Sequence, residues 1–318
     1  MKKIVITRRI NPSMVEKLEK DFEVFVWDEA EQPMPRERFL EETSDAHGVL
    51  TMLSDKIDEE MLANAKHLKV VANLAVGYDN IDIEAARNHN VIITNTPDVL
   101  TETTAELAFT LMLTSARRVL EANRQLMAGE WSGWSPYHMA GTDIFGKTVG
   151  IFGMGSIGAA FARRLSGFRT KVLYHNRSQS ELGDSLGAEF VSFEDLLSAS
   201  DFVLCAAPLT DETKYRFDKA AFERMKDTAF FINIGRGAHV VEADLAEAVK
   251  QGQIKGAALD VFENEPIDKD HPFVNIDNMT LLPHIGSASV DTRNNMMNLC
   301  VNNIMEVLNG GQPITPVK

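Results

Sequence analysis

The chain has 318 residues, 44% hydrophobic and 25% charged. That is enough to bury two ordinary cores, and too balanced for a disordered, collagenous or coiled-coil protein. A formal charge of −14 argues against nucleic acid and anionic membrane as partners. No stretch approaches the roughly 18 apolar residues of a membrane-spanning helix, and the opening MKKIVITRRI is too polar for a secretory leader. The two cysteines, Cys205 and Cys300, lie in apolar runs, which predicts buried thiols in a cytoplasmic protein rather than a disulfide.

Short β-rich apolar runs alternate with helical stretches. They fall at 4–7, 23–27, 47–52, 68–74 and 91–94, then at 148–152, 171–175, 201–206, 229–234, 256–261 and 279–283. Continuous apolar runs of this length, separated by helices, indicate parallel strands covered on both faces. Two such sets predict an α/β fold of two doubly wound parallel-sheet domains with a cleft between them, rather than one eight-stranded barrel. Asn95-Thr96-Pro97 closes the first set. Thr103 and Glu106 read as a capping box for a helix over 106–116. A loop rich in Gly, Trp and Pro spans 129–146, and Ser289 reads as the N-cap of a last helix over 290–308, ended by Gly310-Gly311. A chain that leaves one domain, builds a second and returns assigns 1–99 plus 288–318 to a substrate-binding domain and 100–287 to a dinucleotide-binding domain.

The loop Gly153-Met154-Gly155-Ser156-Ile157-Gly158 follows the run 148–152 and opens a helical stretch, the context that a G-x-G-x-x-G dinucleotide motif requires. The first glycine makes the turn, the second admits a pyrophosphate, and the third lets helix and strand pack closely. The following strand ends in Asn176, Arg177 and Ser178, where NAD-binding proteins carry an acid for the ribose 2′-hydroxyl. An amide, a guanidinium and a hydroxyl suit a 2′-phosphate instead, so NADP(H) is the expected cofactor, with NAD(H) as the second choice. Residues 144–180 contain no Asp or Glu and carry +6, leaving −20 for the rest of the chain.

Ligands of doubly wound sheets bind beyond the carboxyl ends of the strands. There the second set offers Ala207 and Pro208, with Thr213 further on, then Ile234 and Arg236, then Asp260 and Glu265, and finally His284 and Gly286. An arginine between two glycines can grip a carboxylate and a carbonyl. A histidine can give a proton to the carbonyl oxygen as hydride reaches carbon, and a glutamate can hold that histidine's tautomer. The eight histidines show no metal-ligand spacing, so no metal is expected.

With these motifs, together with Asn233-Ile-Gly-Arg236-Gly237, Leu259-Asp-Val-Phe-Glu-Asn-Glu265-Pro266 and Pro283-His284-Ile-Gly-Ser-Ala, the chain resembles the D-isomer-specific 2-hydroxyacid dehydrogenases over essentially its whole length. The nearest likeness is to the glyoxylate/hydroxypyruvate reductase group, through Leu53-Ser54-Asp55, the stretch 96–106 and Trp131-Ser-Gly-Trp134. The resemblance implies a flavodoxin-like substrate domain and a Rossmann cofactor domain. It implies Arg236, Glu265 and His284 as catalytic residues, Asp260 at the nicotinamide carboxamide and Thr104 beside the cofactor. It also implies substrate carboxylate on the amides of Val76 and Gly77, with Leu53, Trp134 and Arg293 lining the pocket. A small 2-oxo or 2-hydroxy acid would be the ligand, and a homodimer the assembly, with Trp134 reaching into the partner's site. The alternatives are a 2-ketogluconate reductase or another D-2-hydroxyacid dehydrogenase and, from a different class, a non-catalytic dinucleotide-sensing protein.

Overall fold

The structure is a computed structural model and describes residues 1–317. The chain divides into two compact units, Met1–Leu100 with Ala288–Lys318, and Thr101–Ser287. The first unit holds β1 (Lys3–Ile6), β2 (Glu23–Val26), β3 (Gly48–Thr51), β4 (Val70–Asn73) and β5 (Ile92–Thr94), all parallel, in the order β2-β1-β3-β4-β5. The second holds β6 (Thr148–Phe152), β7 (Lys171–His175), β8 (Glu189–Phe190), β9 (Phe202–Cys205), β10 (Phe230–Asn233), β11 (Gly256–Leu259) and β12 (Met279–Leu281). These too are all parallel, in the order β12-β11-β10-β9-β6-β7-β8.

Burial follows position in the sheet. Central strands such as β3, β4, β9 and β10 are buried at every residue because helices cover both faces. The edge strand β2 is only partly covered, and β8 is exposed. In the first unit Val5, Val49, Val71 and Ile93 build a common core on one face. The helix Val290–Leu308 covers neighbouring positions with Met296, Cys300, Ile304 and Leu308. Strand order reverses between β1 and β3 in one sheet and between β6 and β9 in the other. Such switch points are where doubly wound sheets open a crevice for ligands.

All eleven expected strands are present with ends that differ by no more than two residues, and β6 and β7 match at both ends. The additional strand, β8, is two exposed residues long and carries no apolar signal. The capping box at Thr103 is corrected: the helix runs Thr101–Ala116, so Thr103 lies inside its first turn. The added turn is held by Glu102, which pairs with Arg163 at 2.6 Å and Arg164 at 2.8 Å on the neighbouring helix. That tertiary support outweighs the local capping signal. The last helix starts as expected, with the Ser289 hydroxyl accepting from Thr292 N at 3.2 Å. Ser289→Ala is expected to cost about 1 kcal/mol and Ser289→Gly only a few tenths, read as shifts of the urea midpoint at constant slope.

Candidate active site

The glycine loop joins β6 to the helix Ser156–Arg164. Gly153 has φ +103°, and a Cβ there would lie 2.4 Å from Ala207 N, so the turn needs glycine on both counts. At Gly158 a Cβ would come within 2.3 Å of Gly153 O, whereas at Gly155 it would meet nothing within 4 Å. Gly158 thus seats the helix on its strand, while Gly155 leaves open space against the first helical amides. That cradle fits a dinucleotide pyrophosphate. Thr213 braces the nearby loop after β9: its hydroxyl donates to Pro208 O at 2.8 Å and accepts from Thr210 N at 2.8 Å. Ala207 and Ile234 are buried at the ends of β9 and β10.

Asn176, at the end of β7, is engaged with the glycine loop itself. Its Oδ1 accepts from Met154 N at 2.7 Å, so the side chain braces the glycine loop. Arg177 and Ser178 are exposed just beyond it. The basic stretch is also less free than its composition implied. Arg163 and Arg164 pair with Glu102, Lys171 pairs with Glu189 at 2.8 Å, and Arg169 stacks on Phe145. Arg177 and Lys147 form no ion pair among the described residues.

Arg236, Glu265 and His284 follow the neighbouring strands β10, β11 and β12. Asn233 at the end of β10 accepts from Gly235 N at 3.0 Å and donates to Arg236 O at 2.9 Å. The buried His239 accepts from Arg236 N at 3.0 Å, with its Nε2 3.3 Å from Pro208 O. Neither residue has a role that the sequence reveals. Asn233 opens the motif that contains Arg236, whereas His239 has no signal beyond its spacing of three residues after Arg236. Gly237 permits the next link, because a Cβ there would lie 1.8 Å from the carbonyl carbon of Phe262. The Arg236 turn therefore presses against the backbone that leads to Glu265.

Glu265 accepts from Phe262 N through Oε1 at 2.9 Å and from His284 Nδ1 through Oε2 at 2.6 Å. With Nδ1–H directed at the carboxylate, Nε2 is the nitrogen left for chemistry. Both side chains are about a third exposed, at 31% and 33%. His284 itself has φ +53°. Asp260, only 1% exposed, fixes that backbone by accepting from Ile285 N at 2.8 Å and Gly286 N at 2.7 Å. Burial pushes the Asp260 carboxyl up to about 6. Gly286 packs towards Thr104, which the helix Thr101–Ala116 presents buried.

In the first unit the loop after β4 is held by its carbonyls. Asn95 Nδ2 donates to Val76 O and Asn73 Nδ2 to Gly77 O, both at 2.8 Å. The amides of Val76 and Gly77 donate to no protein acceptor among the described residues. They are therefore available to an anion. Asn95 is set in turn by the end of the chain, where Thr315 donates to Asn95 O at 2.7 Å and the buried Asn303 ties down Ile314 and Thr315. Leu53 and Arg293 are half-buried, while Trp134 is 83% exposed and Tyr137 88%. No group of metal-ligating side chains occurs among the described residues, and no helix among them is long and apolar enough to cross a membrane.

Residues 109–286 match the model of the D-isomer specific 2-hydroxyacid dehydrogenase, NAD binding domain. Over 320 aligned residues the chain is 46% identical to a glyoxylate reductase of Thermococcus kodakarensis, covering 99% of this chain and 96% of the relative. A solved Thermus thermophilus protein is 38% identical with TM-score 0.94, covering 99% of this chain and all of the other. The NADPH-dependent glyoxylate/hydroxypyruvate reductase of Sinorhizobium meliloti, solved with NADP and malonate, is 34% identical with TM-score 0.87, covering 99% of this chain and 96% of that one.

The raised Asp260 pKa has a measurable consequence. Between its unfolded value near 4 and its folded value of about 6, the native state binds more protons than the unfolded one. This group's contribution to stability is therefore fully present below that window. It is lost as pH rises through the window, at a rate of up to about 1.4 kcal/mol for each step of one in pH. Asp260→Asn removes the titration, so the gap in unfolding free energy between wild type and variant should change with pH between about 4 and 6 and level off on either side.

Proposed function

The chain belongs to the D-isomer specific 2-hydroxyacid dehydrogenases, a family of NAD(P)-dependent oxidoreductases, and on that premise we propose that it reduces glyoxylate or hydroxypyruvate to the D-2-hydroxy acid with NADPH. The observation that carries this reading is the 2.6 Å contact between His284 Nδ1 and Glu265 Oε2, which joins the ends of β12 and β11 beside β10, the strand that leads to Arg236. The substrate class comes from the similar reductases of Thermococcus kodakarensis and Sinorhizobium meliloti.

Gly153–Gly158 would hold the dinucleotide, which would supply a hydride for the carbonyl carbon when bound. Arg236 holds the substrate's carboxylate and carbonyl oxygens in a bidentate grip and stabilises negative charge on the carbonyl oxygen. His284 gives its proton from Nε2 to that oxygen, and in the reverse direction takes it back. Glu265 keeps Nδ1–H directed away from the substrate and stabilises the imidazolium. The unpaired amides of Val76 and Gly77 receive the substrate carboxylate, with Leu53, Trp134 and Arg293 as pocket-lining residues. Asp260 acts by holding the turn that carries His284.

NADPH is preferred because no carboxylate stands at the end of β7 to repel a 2′-phosphate, while Arg177 is exposed and free of ion pairs there. NAD(H) remains the second cofactor. The assembly is a homodimer in which a second copy covers the arm bearing Trp131, Trp134 and Tyr137. Exposures of 55%, 83% and 88% are unusual for such large apolar side chains. The compartment is the cytoplasm, consistent with two buried free thiols.

The test is a matrix of glyoxylate, hydroxypyruvate, pyruvate and 2-ketogluconate against NADH and NADPH. Glyoxylate or hydroxypyruvate with NADPH should give the highest kcat/KM, and His284→Ala should lower kcat by roughly 10²–10⁴-fold. A preference for 2-ketogluconate would move the substrate assignment, and an NADH preference would sink the role given to Arg177. Dinucleotide binding without turnover on any acid would favour a sensing protein instead. Sedimentation should give twice the chain mass, and Trp131→Ser with Trp134→Ser should shift the protein towards monomer.

A further inference from the structure

The first unit holds a charged group that the chemistry above leaves unused. Arg8, just past β1, is 8% exposed. Its Nη1 donates to Thr7 O and its Nη2 to Ser54 Oγ, each at 2.8 Å. Both acceptors are neutral, and no carboxylate lies within ion-pair distance of it among the described residues. A buried guanidinium without a facing anion is costly, and it has five N–H donors to satisfy. The nearest buried acid, Asp55, is directed elsewhere: its Oδ2 accepts from Thr7, from Thr51 at 3.0 Å and from Met52 N at 2.8 Å.

The position of Arg8 is as telling as its burial. In the order β2-β1-β3-β4-β5 the switch point lies between β1 and β3, and these strands lead directly into Arg8 and Ser54. Asn80, on the loop after β4, donates to Met52 O at 3.2 Å and Asp55 O at 2.9 Å. The loop that carries the unpaired Val76 and Gly77 amides is thereby tied to the loop that carries Leu53 and Ser54. The carboxyl end of the sheet thus presents two backbone donors for a carboxylate and, two strands away, a fixed cation with an exposed hydroxyl.

We propose that Arg8 and Ser54 recognise a hydrogen-bond-accepting group on C3 of the substrate, making them specificity-determining residues that favour a 3-hydroxy-2-oxo acid over its 3-deoxy analogue. This rests on the functional reading above. Arg8 donates to the C3 oxygen, and the C3 hydroxyl donates to Ser54 Oγ. An analogue with a methyl group there leaves the guanidinium buried and unanswered. Sites built to bind a hydroxyl discriminate strongly against ligands that lack it, for this reason.

The experiment compares hydroxypyruvate with pyruvate, which differ only in that hydroxyl, in wild type, Arg8→Met and Ser54→Ala. Wild type should prefer hydroxypyruvate in kcat/KM. Arg8→Met should reduce the hydroxypyruvate-to-pyruvate ratio at least tenfold, mainly through the KM for hydroxypyruvate, and Ser54→Ala should reduce it severalfold. Ser54 is exposed, so its variant reports even if Arg8→Met does not fold. An equal loss on both acids, an unchanged ratio in the variants, or no wild-type preference would overturn the proposal. A wild type that reduces no 2-oxo acid would instead overturn the functional reading on which it rests.

Discussion

The buried carboxylate of Asp260 determines how the second unit can act. His284 stands at φ +53°, a conformation that costs a non-glycine residue of the order of 1–3 kcal/mol. It persists because the next two amides, of Ile285 and Gly286, both end on Asp260. Charge-assisted bonds of this kind are about twice as strong as neutral ones. The imidazole is thereby held where the Glu265 carboxylate, itself fixed by Phe262 N, can meet it. The same burial that makes these bonds strong also raises the free energy of the charged carboxylate.

Similar constraints recur at the other strand ends. Asn233 and His239 shape the Arg236 turn from within the fold, and Gly237 lets that turn touch the Phe262 backbone. In the first unit Asp55, Asn73, Asn80 and Asn95 hold neighbouring loops by their backbones. Parallel strands leave their carboxyl-end loops without a hairpin partner, so these loops need side chains to satisfy their backbones. Groups that face solvent or ligand are thus set by groups that face neither.

The strands were legible because burial on both faces writes continuous apolar runs into the sequence, and the glycine loop because its spacing is dictated by sterics. The placement of Arg236, Glu265 and His284 at successive strand ends was legible because each follows an identifiable strand. What was not legible depends on partners distant in sequence. The extra turn at Thr101 rests on Arg163 and Arg164. The engagement of Asn176 rests on Met154, and the neutralisation of the basic stretch on Glu102 and Glu189. Composition counts charges, whereas only the fold pairs them. Asn303 and Thr315 show the same limit: nothing local reveals that a polar residue in the last helix fixes a loop more than two hundred residues earlier.

The split of the first unit into two chain segments also bears on how the protein is made. Its sheet is encoded before residue 100, but the helix Val290–Leu308 that packs against β3 and β4 is encoded last. Gly48 shows how intimate that packing is, since a Cβ there would lie 3.1 Å from Ile304. Ribosomes add roughly 5–20 residues per second, so the nascent sheet waits of the order of ten seconds or more with an apolar face uncovered. The second unit is continuous and can complete itself during that interval. The first unit's early segment, Met1–Leu100, is therefore the part of the chain whose apolar surface stays uncovered longest during synthesis.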